Sequence, residues 1–219
     1  MRYIMKLIES ILDWLYPSRC AFCHSVTENG VLLCCDCENK LPYTRAASEQ
    51  RMTHISKCVS PLFYENDVRS SILRYKFKGA TGYCRIYAEL LAKCIDESKI
   101  ICDIITWVPL SRKKLRRRGY NQTELIAREF SALTGIPCAG LLLKVKDNKA
   151  QSGINDAAVR KKNVSGVYRL SKDAGAYSGA VLIIDDVVTT GATLSECAKT
   201  LKNGNFSEFY AATVARKRI

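Results

Sequence analysis

Val181-Leu-Ile-Ile-Asp185-Asp186-Val-Val-Thr189-Thr190-Gly191-Ala192-Thr193 is the stretch on which the fold turns. Ala180–Ile184 reads as a buried strand, and it runs into two adjacent carboxylates and then a hydroxyl- and Gly-rich loop that opens a helix. In an open α/β sheet, ligands sit where strands end and helices begin. Loop N–H groups, the hydroxyls of Thr189, Thr190 and Thr193, and the positive end of the helix suit a phosphate. Gly191 lets the backbone bend closely against it, with Ala192 opening the helix. Carboxylates suit sugar hydroxyls instead, so Asp185 and Asp186 beside that loop describe a site for a ribose 5-phosphate. The plainer alternative is a strand–turn–helix junction with Asp and Thr as caps. No Walker-type GxxxxGK[ST] occurs, which excludes a P-loop nucleotidase.

Outward from this stretch, strand-like and helix-like segments alternate from Cys58 onward. Val59–Tyr64, Asp103–Val108, Leu141–Val145, Gly166–Leu170 and Phe209–Val214 are the further expected strands. Val68–Lys78, Tyr83–Glu97, Thr123–Thr134 and Leu194–Asn203 carry the helical pattern, with Gly135 as a stop. Such alternation implies an α/β domain around a mostly parallel sheet flanked by helices. A polar segment of about twenty residues separates two of the strands, a length that in a compact domain marks a functional loop.

The first residues form a different unit. Cys20-x2-Cys23 and Cys34-x2-Cys37 are two knuckles of the kind that complete a tetrahedral zinc site, closed and therefore structural. A redox dithiol and an iron–sulfur centre are the other readings of that spacing. Cys35 and His24 adjoin the ligands but break the spacing, so they read as bystanders. Ile4, Ile8, Ile11, Leu12 and Leu15 recur at helical spacing before Pro17, which predicts an amphipathic helix docked on the body, with attachment to a membrane surface as the lesser alternative. The expected organisation is helix and zinc finger over 1–45, linker over 46–57, and the α/β domain over 58–219.

The 219 residues, 47% hydrophobic and 25% charged, can bury a core, which excludes a disordered chain. No run reaches the about 20 apolar residues of a membrane-spanning helix. Glu9 and Asp13 interrupt the N-terminal apolar stretch, and no export signal is read there. A cytoplasmic, reducing compartment follows as the expectation, in which the clustered thiols bind metal. The net charge of +13 is uneven. Residues 110–172 hold fifteen Lys and Arg against four Asp and Glu, including six cations in the seven residues Arg112–Arg118. An anionic partner is implied, with a solvated basic surface as the plain alternative.

Four features carry a family resemblance: the two CxxC pairs, the run ending Arg118-Gly119-Tyr120-Asn121-Gln122, the segment Gln151…Arg160-Lys161-Lys-Asn163, and the Asp185–Thr193 loop. The loop resembles the 5-phosphoribosyl 1-pyrophosphate (PRPP) motif of type I phosphoribosyltransferases. The whole chain resembles the ComF family of competence-associated proteins. The resemblance implies a type I phosphoribosyltransferase-like domain behind a small N-terminal zinc-binding module, with Zn²⁺ structural and Mg²⁺ arriving with PRPP. Asp185 and Asp186 would hold the ribose hydroxyls, and Thr189, Thr190, Gly191, Ala192 and Thr193 the 5′-phosphate. The segment Pro109–Arg118, with Ser111, Arg112, Arg116 and Arg118, would take the pyrophosphate. Residues 146–165, with Arg160 and Lys161, would close over the site.

Hypoxanthine-type transferases put an Asp where this chain has Thr189, which argues against a 6-oxopurine acceptor. Chemistry of this class passes through a cationic, oxocarbenium-like sugar, so the protein's task is to stabilise the leaving group and exclude water. Neither a general base nor an acceptor pocket is legible. Eleven excess cations exceed what one small ligand can use, so single-stranded DNA is the second expected partner, along Arg116, Arg117, Arg118 and Tyr120. Tyr168 and Tyr177 are the other candidate stacking platforms. The resemblance also implies a competence helicase and a DNA-processing protein as partners. Two functions therefore stand: phosphoribosyl transfer to an unknown acceptor, and DNA handling without catalysis.

Overall fold

The computed structural model describes residues 17–44, 52–147 and 165–218. The expected helix over Met1–Leu15 lies outside them, as do part of the linker and most of the polar segment with Arg160 and Lys161.

The elements run α1 (Cys35–Lys40), β1 (Lys57–Val59), β2 (Leu62–Phe63), α2 (Asn66–Phe77), α3 (Tyr83–Glu97), β3 (Ile104–Trp107), α4 (Arg112–Arg118), α5 (Gln122–Thr134), β4 (Leu142–Lys144), β5 (Tyr168–Leu170), β6 (Gly179–Val188), α6 (Ala192–Leu201) and β7 (Phe206–Arg216). The main sheet is parallel, ordered β3-β6-β7-β1, with β2 also on β7. Antiparallel β4 and β5 form a separate two-stranded sheet.

Alternation along the strands feeds two cores. Leu182 and Ile184 of β6, with Ile105 and Trp107 of β3, face α2, α3 and α5. Val181 and Ile183, with Ile104 and Val108, face α6 and the β4–β5 pair. Strands buried on both faces need continuous apolar runs, and Ile104–Trp107 is buried at every position. Each such aliphatic side chain contributes roughly 1.5–3 kcal/mol. The result is an α/β layered fold with a mostly parallel sheet, as the alternating pattern predicts.

Three boundaries differ from expectation, each for a physical reason. The predicted strand Val59–Tyr64 is two short strands, because Pro61 has no N–H for the ladder. The strand expected to end at Ile184 continues through the acidic pair to Val188, because β7 keeps pairing with it as far as Val188↔Arg216. The basic run, given no element from its pattern, is helix α4. Its start is fixed by the Lys114 N–H donating to Ser111 Oγ (3.3 Å), and its end by Gly119 at φ +84°.

The cysteine-rich head packs on the body through Phe22, 1% exposed, whose ring meets Tyr87 edge-on at 6.2 Å. Cys20, Ala21, Cys37 and Leu41 join the same core as α2 and α3.

Candidate functional site

The acidic pair straddles the sheet. With β6 extended through both residues, period-2 alternation sends Asp186 to the face of Leu182 and Ile184, and Asp185 to the opposite one. Asp186 is buried and fully engaged. Lys76 Nζ donates to its Oδ1 (2.6 Å) and Gln122 Nε2 to its Oδ2 (2.8 Å). Gln122 is held in turn by Arg118, which donates to its side-chain oxygen. Lys76 and Gln122 had no role in the sequence reading, and Lys76 lies 110 residues from its partner, where no local spacing could reveal it.

Asp185 is half-buried and accepts the Asp186 N–H at 2.8 Å. Burial, then the charge of Asp186, pushes its carboxyl up to about 7. Its charge is felt by the Cys197 thiol and the Tyr168 hydroxyl, both held well above their ordinary values first by burial. Lys144 approaches the same group, lying 5.3 Å from the centre of the Tyr168 ring, and burial lowers its pKa.

The loop behind the pair is built as its composition implies. Gly191, at φ +74°, caps α6, and its carbonyl accepts the Ser195 N–H (2.9 Å). That left-handed φ favours glycine, and a Cβ there would stand 2.6 Å from Met52 Sδ and displace the Met52 side chain. Met52, from the linker, thus forms a wall of this loop, a contact the sequence reading missed. Thr190 is exposed, while Thr189, Ala192 and Thr193 are half-buried.

A cleft of about 1130 Å³ opens between α4 and β4, floored by Trp107, Leu142 and Gly140. Arg112, Lys113, Arg116, Arg117, Lys144, Lys146 and Arg169 line it, against Glu124 and Asp147. Ser111 lines it as well. Arg118 does not. It turns back to Gln122, with its guanidinium 5.0 Å over the Phe77 ring, away from the basic face it was grouped with. Tyr120 donates to the Tyr75 carbonyl and leans on the Tyr75 ring at 6.3 Å. Tyr168 is 6% exposed and offers no stacking face, which corrects its proposal as a platform. Tyr177 packs, half-buried, against the second core.

Cys20, Cys23, Cys34 and Cys37 bring their sulfurs within 4.8 Å of one another. A zinc ion about 2.3 Å from each of four thiolates sets the sulfurs about 3.8 Å apart, and Cys23 Sγ and Cys34 Sγ are 3.7 Å apart. The donor set therefore fits structural zinc. The Cys37 N–H donates to Cys34 Sγ (3.4 Å), fixing that sulfur at the start of α1. Cys35 and His24 stand outside the group, as the spacing implied.

Residues 11–50 match the family described as Double zinc ribbon domain. Competence protein F of Haemophilus influenzae is 28% identical over 90% of this chain and 96% of its own length. DNA utilization protein YhgH of Salmonella typhi is 28% identical over 84% of this chain and 85% of its own. Competence protein ComFC of Streptococcus pneumoniae is 24% identical over 70% and 65%. Among solved structures, glutamine PRPP amidotransferase from B. subtilis aligns at a TM-score of 0.40 with 21% identity over 60% of this chain. This chain spans about a quarter of that structure's length (26%). No helix among the described residues is long and apolar enough to cross a membrane. The chain is thus similar to Competence protein F over nearly its whole length, and to YhgH and ComFC over most of it, and its residues 11–50 match the double zinc ribbon family.

Proposed function

We propose that this protein binds Mg²⁺-PRPP at the end of β6 and transfers its phosphoribosyl group to an acceptor yet to be identified. One observation carries the reading: Asp185 and Asp186 sit among the last residues of a buried strand that runs on to Val188 and then into the glycine-capped start of α6. The N–H groups opening α6 and the Thr189–Thr193 hydroxyls bind the 5′-phosphate. The carboxylates accept the ribose hydroxyls, for which Asp186 must share or exchange its bond to Lys76. When bound, Mg²⁺ neutralises charge on the pyrophosphate. Ser111 and the α4 cations bind the leaving group from the cleft side, and Arg160 and Lys161 close over it. The zinc finger over 1–45, the linker over 46–57 and the domain over 58–219 divide the labour, the head giving structure and the domain the site. Phosphorus NMR of PRPP with Mg²⁺ and the zinc-loaded protein tests this directly. Its phosphate resonances should broaden and shift on binding, and free pyrophosphate should appear when the right acceptor is added. Unaltered resonances at saturating protein would overturn the reading.

A second reading has its own observation, the seven cations against two acids around the cleft. That excess favours a nucleic-acid backbone, and the names of the relatives point to competence and DNA utilization. On this reading single-stranded DNA tracks α4 past Arg116 and Arg117, a helicase and a DNA-processing protein are its cytoplasmic partners, and PRPP is a regulatory ligand.

A further inference from the structure

We infer that Arg74, Tyr75 and Lys76, consecutive in the last turn of α2, form a relay through which the metal-binding knuckle positions Asp186. It rests on the reading of the acidic pair as a ligand site. Each of the three residues ties α2 to a different part of the molecule. Arg74 Nη2 donates to the carbonyls of Ala21 (2.9 Å) and Phe22 (2.6 Å), the two residues between the ligands Cys20 and Cys23. Arg74 Nε is buried with no hydrogen-bond partner among the described residues, a cost offset only by what the rest of the guanidinium holds. Tyr75, fully buried, donates from its hydroxyl to the Gln122 carbonyl (2.7 Å), and its own carbonyl accepts from Tyr120. Lys76 Nζ meets Asp186 Oδ1 at 2.6 Å, and Gln122 Nε2 closes the circuit on Asp186 Oδ2 at 2.8 Å.

The physical consequence follows from rigidity. Three adjacent residues of one helix cannot move independently, since each shares the same turn of backbone hydrogen bonds. The knuckle's carbonyls keep their place only while four thiolates converge on a metal; without it the short Cys-rich segment lacks the folding energy to hold that turn. Losing the carbonyls frees the Arg74 guanidinium, and with it the helix end that delivers Lys76. The zinc head is then a positioning module for the ribose-binding carboxylate as well as a fold staple. Arg74 and Lys76 act through Asp186 and are positioning residues. Coupling of this kind is reciprocal, so a change at the Lys76 end must be felt by the metal.

The test is competition for zinc between the full-length protein and a chromophoric chelator, on wild type, Arg74→Met, Arg74→Lys and Lys76→Met. Far-UV circular dichroism verifies that each is folded. Arg74→Met should weaken zinc binding about tenfold, as loss of an outer-shell support does. Arg74→Lys should recover only part of this, since the shorter lysine stem does not carry its ammonium to the position from which Nη2 donates to both carbonyls. The discriminating variant is Lys76→Met, which touches no part of the head. It should weaken zinc in the same direction, by about fivefold. Saturating Mg²⁺-PRPP, which draws Asp186 away from Lys76, should speed zinc loss in wild type and not in Lys76→Met. A zinc affinity unchanged in Lys76→Met overturns the relay, whatever Arg74→Met does. A wild type that binds no PRPP overturns the functional reading alone, because the Lys76→Met zinc comparison still decides this one.

Discussion

Asp185 is a carboxyl kept near neutrality by its surroundings. Burial first, and Asp186 second, raise it to about 7. A carboxyl with a raised folded-state pKa gives its full stabilisation only below its unfolded value of about 3.9 and loses it as pH rises through the folded value. The window here runs from about 4 to 7, so at pH 8 a charged Asp185 weakens the fold. Asp185→Asn, neutral throughout, should raise the melting temperature at pH 8, raise it less at pH 5 and change it little at pH 4. A lower melting temperature at pH 8 would mean that Lys144 and Lys76 compensate the charge fully. Strain of this sort is characteristic of a group kept for a ligand rather than for stability. At this scale the sequence marks candidate residues but not how they are held. The pair, the glycine and the four thiolates announce themselves by local spacing. Lys76 and Met52 do not, because one pairs across 110 residues and the other is an apolar linker residue whose contact only the fold creates.

Among the elements, α4 carries the clearest division of labour. Its outward side chains Arg112, Lys113, Arg116 and Arg117 line the cleft, whereas Arg118 at its end braces Gln122. A single-stranded partner in that cleft loses affinity with salt by about 0.7 per phosphate neutralised on a log–log scale. Replacing Arg112, Arg116 and Arg117 together by Ala should therefore flatten the slope by about 2. Fluorescence anisotropy of a labelled oligonucleotide across a salt series reads it, and an unaltered slope removes the nucleic acid from this helix. The strands and helices around α4 were legible from apolar periodicity, since burial on both faces demands continuous Val, Ile and Leu. Two limits were not. The end of β6 is set by what β7 offers to pair with, and the start of α4 by one hydroxyl cap, and neither leaves a periodic trace.

The whole molecule joins a thiolate head to a parallel-sheet body along one shared core, with Phe22 and Tyr87 at the seam and the last turn of α2 reaching from knuckle to carboxylate. Seven cations line the cleft against two acids, and Lys144 among them is felt by Asp185, so the acidic pair and the basic face border each other there. The central claim is that the end of β6 is a ribose-phosphate site. Calorimetric titration of the zinc-loaded protein with PRPP and Mg²⁺ tests it most directly, against an Asp185→Asn/Asp186→Asn variant shown by melting to be folded. Heat of saturable binding in wild type, absent from the variant, is the result the geometry predicts. Equal binding by both, or none by the wild type, would contradict it.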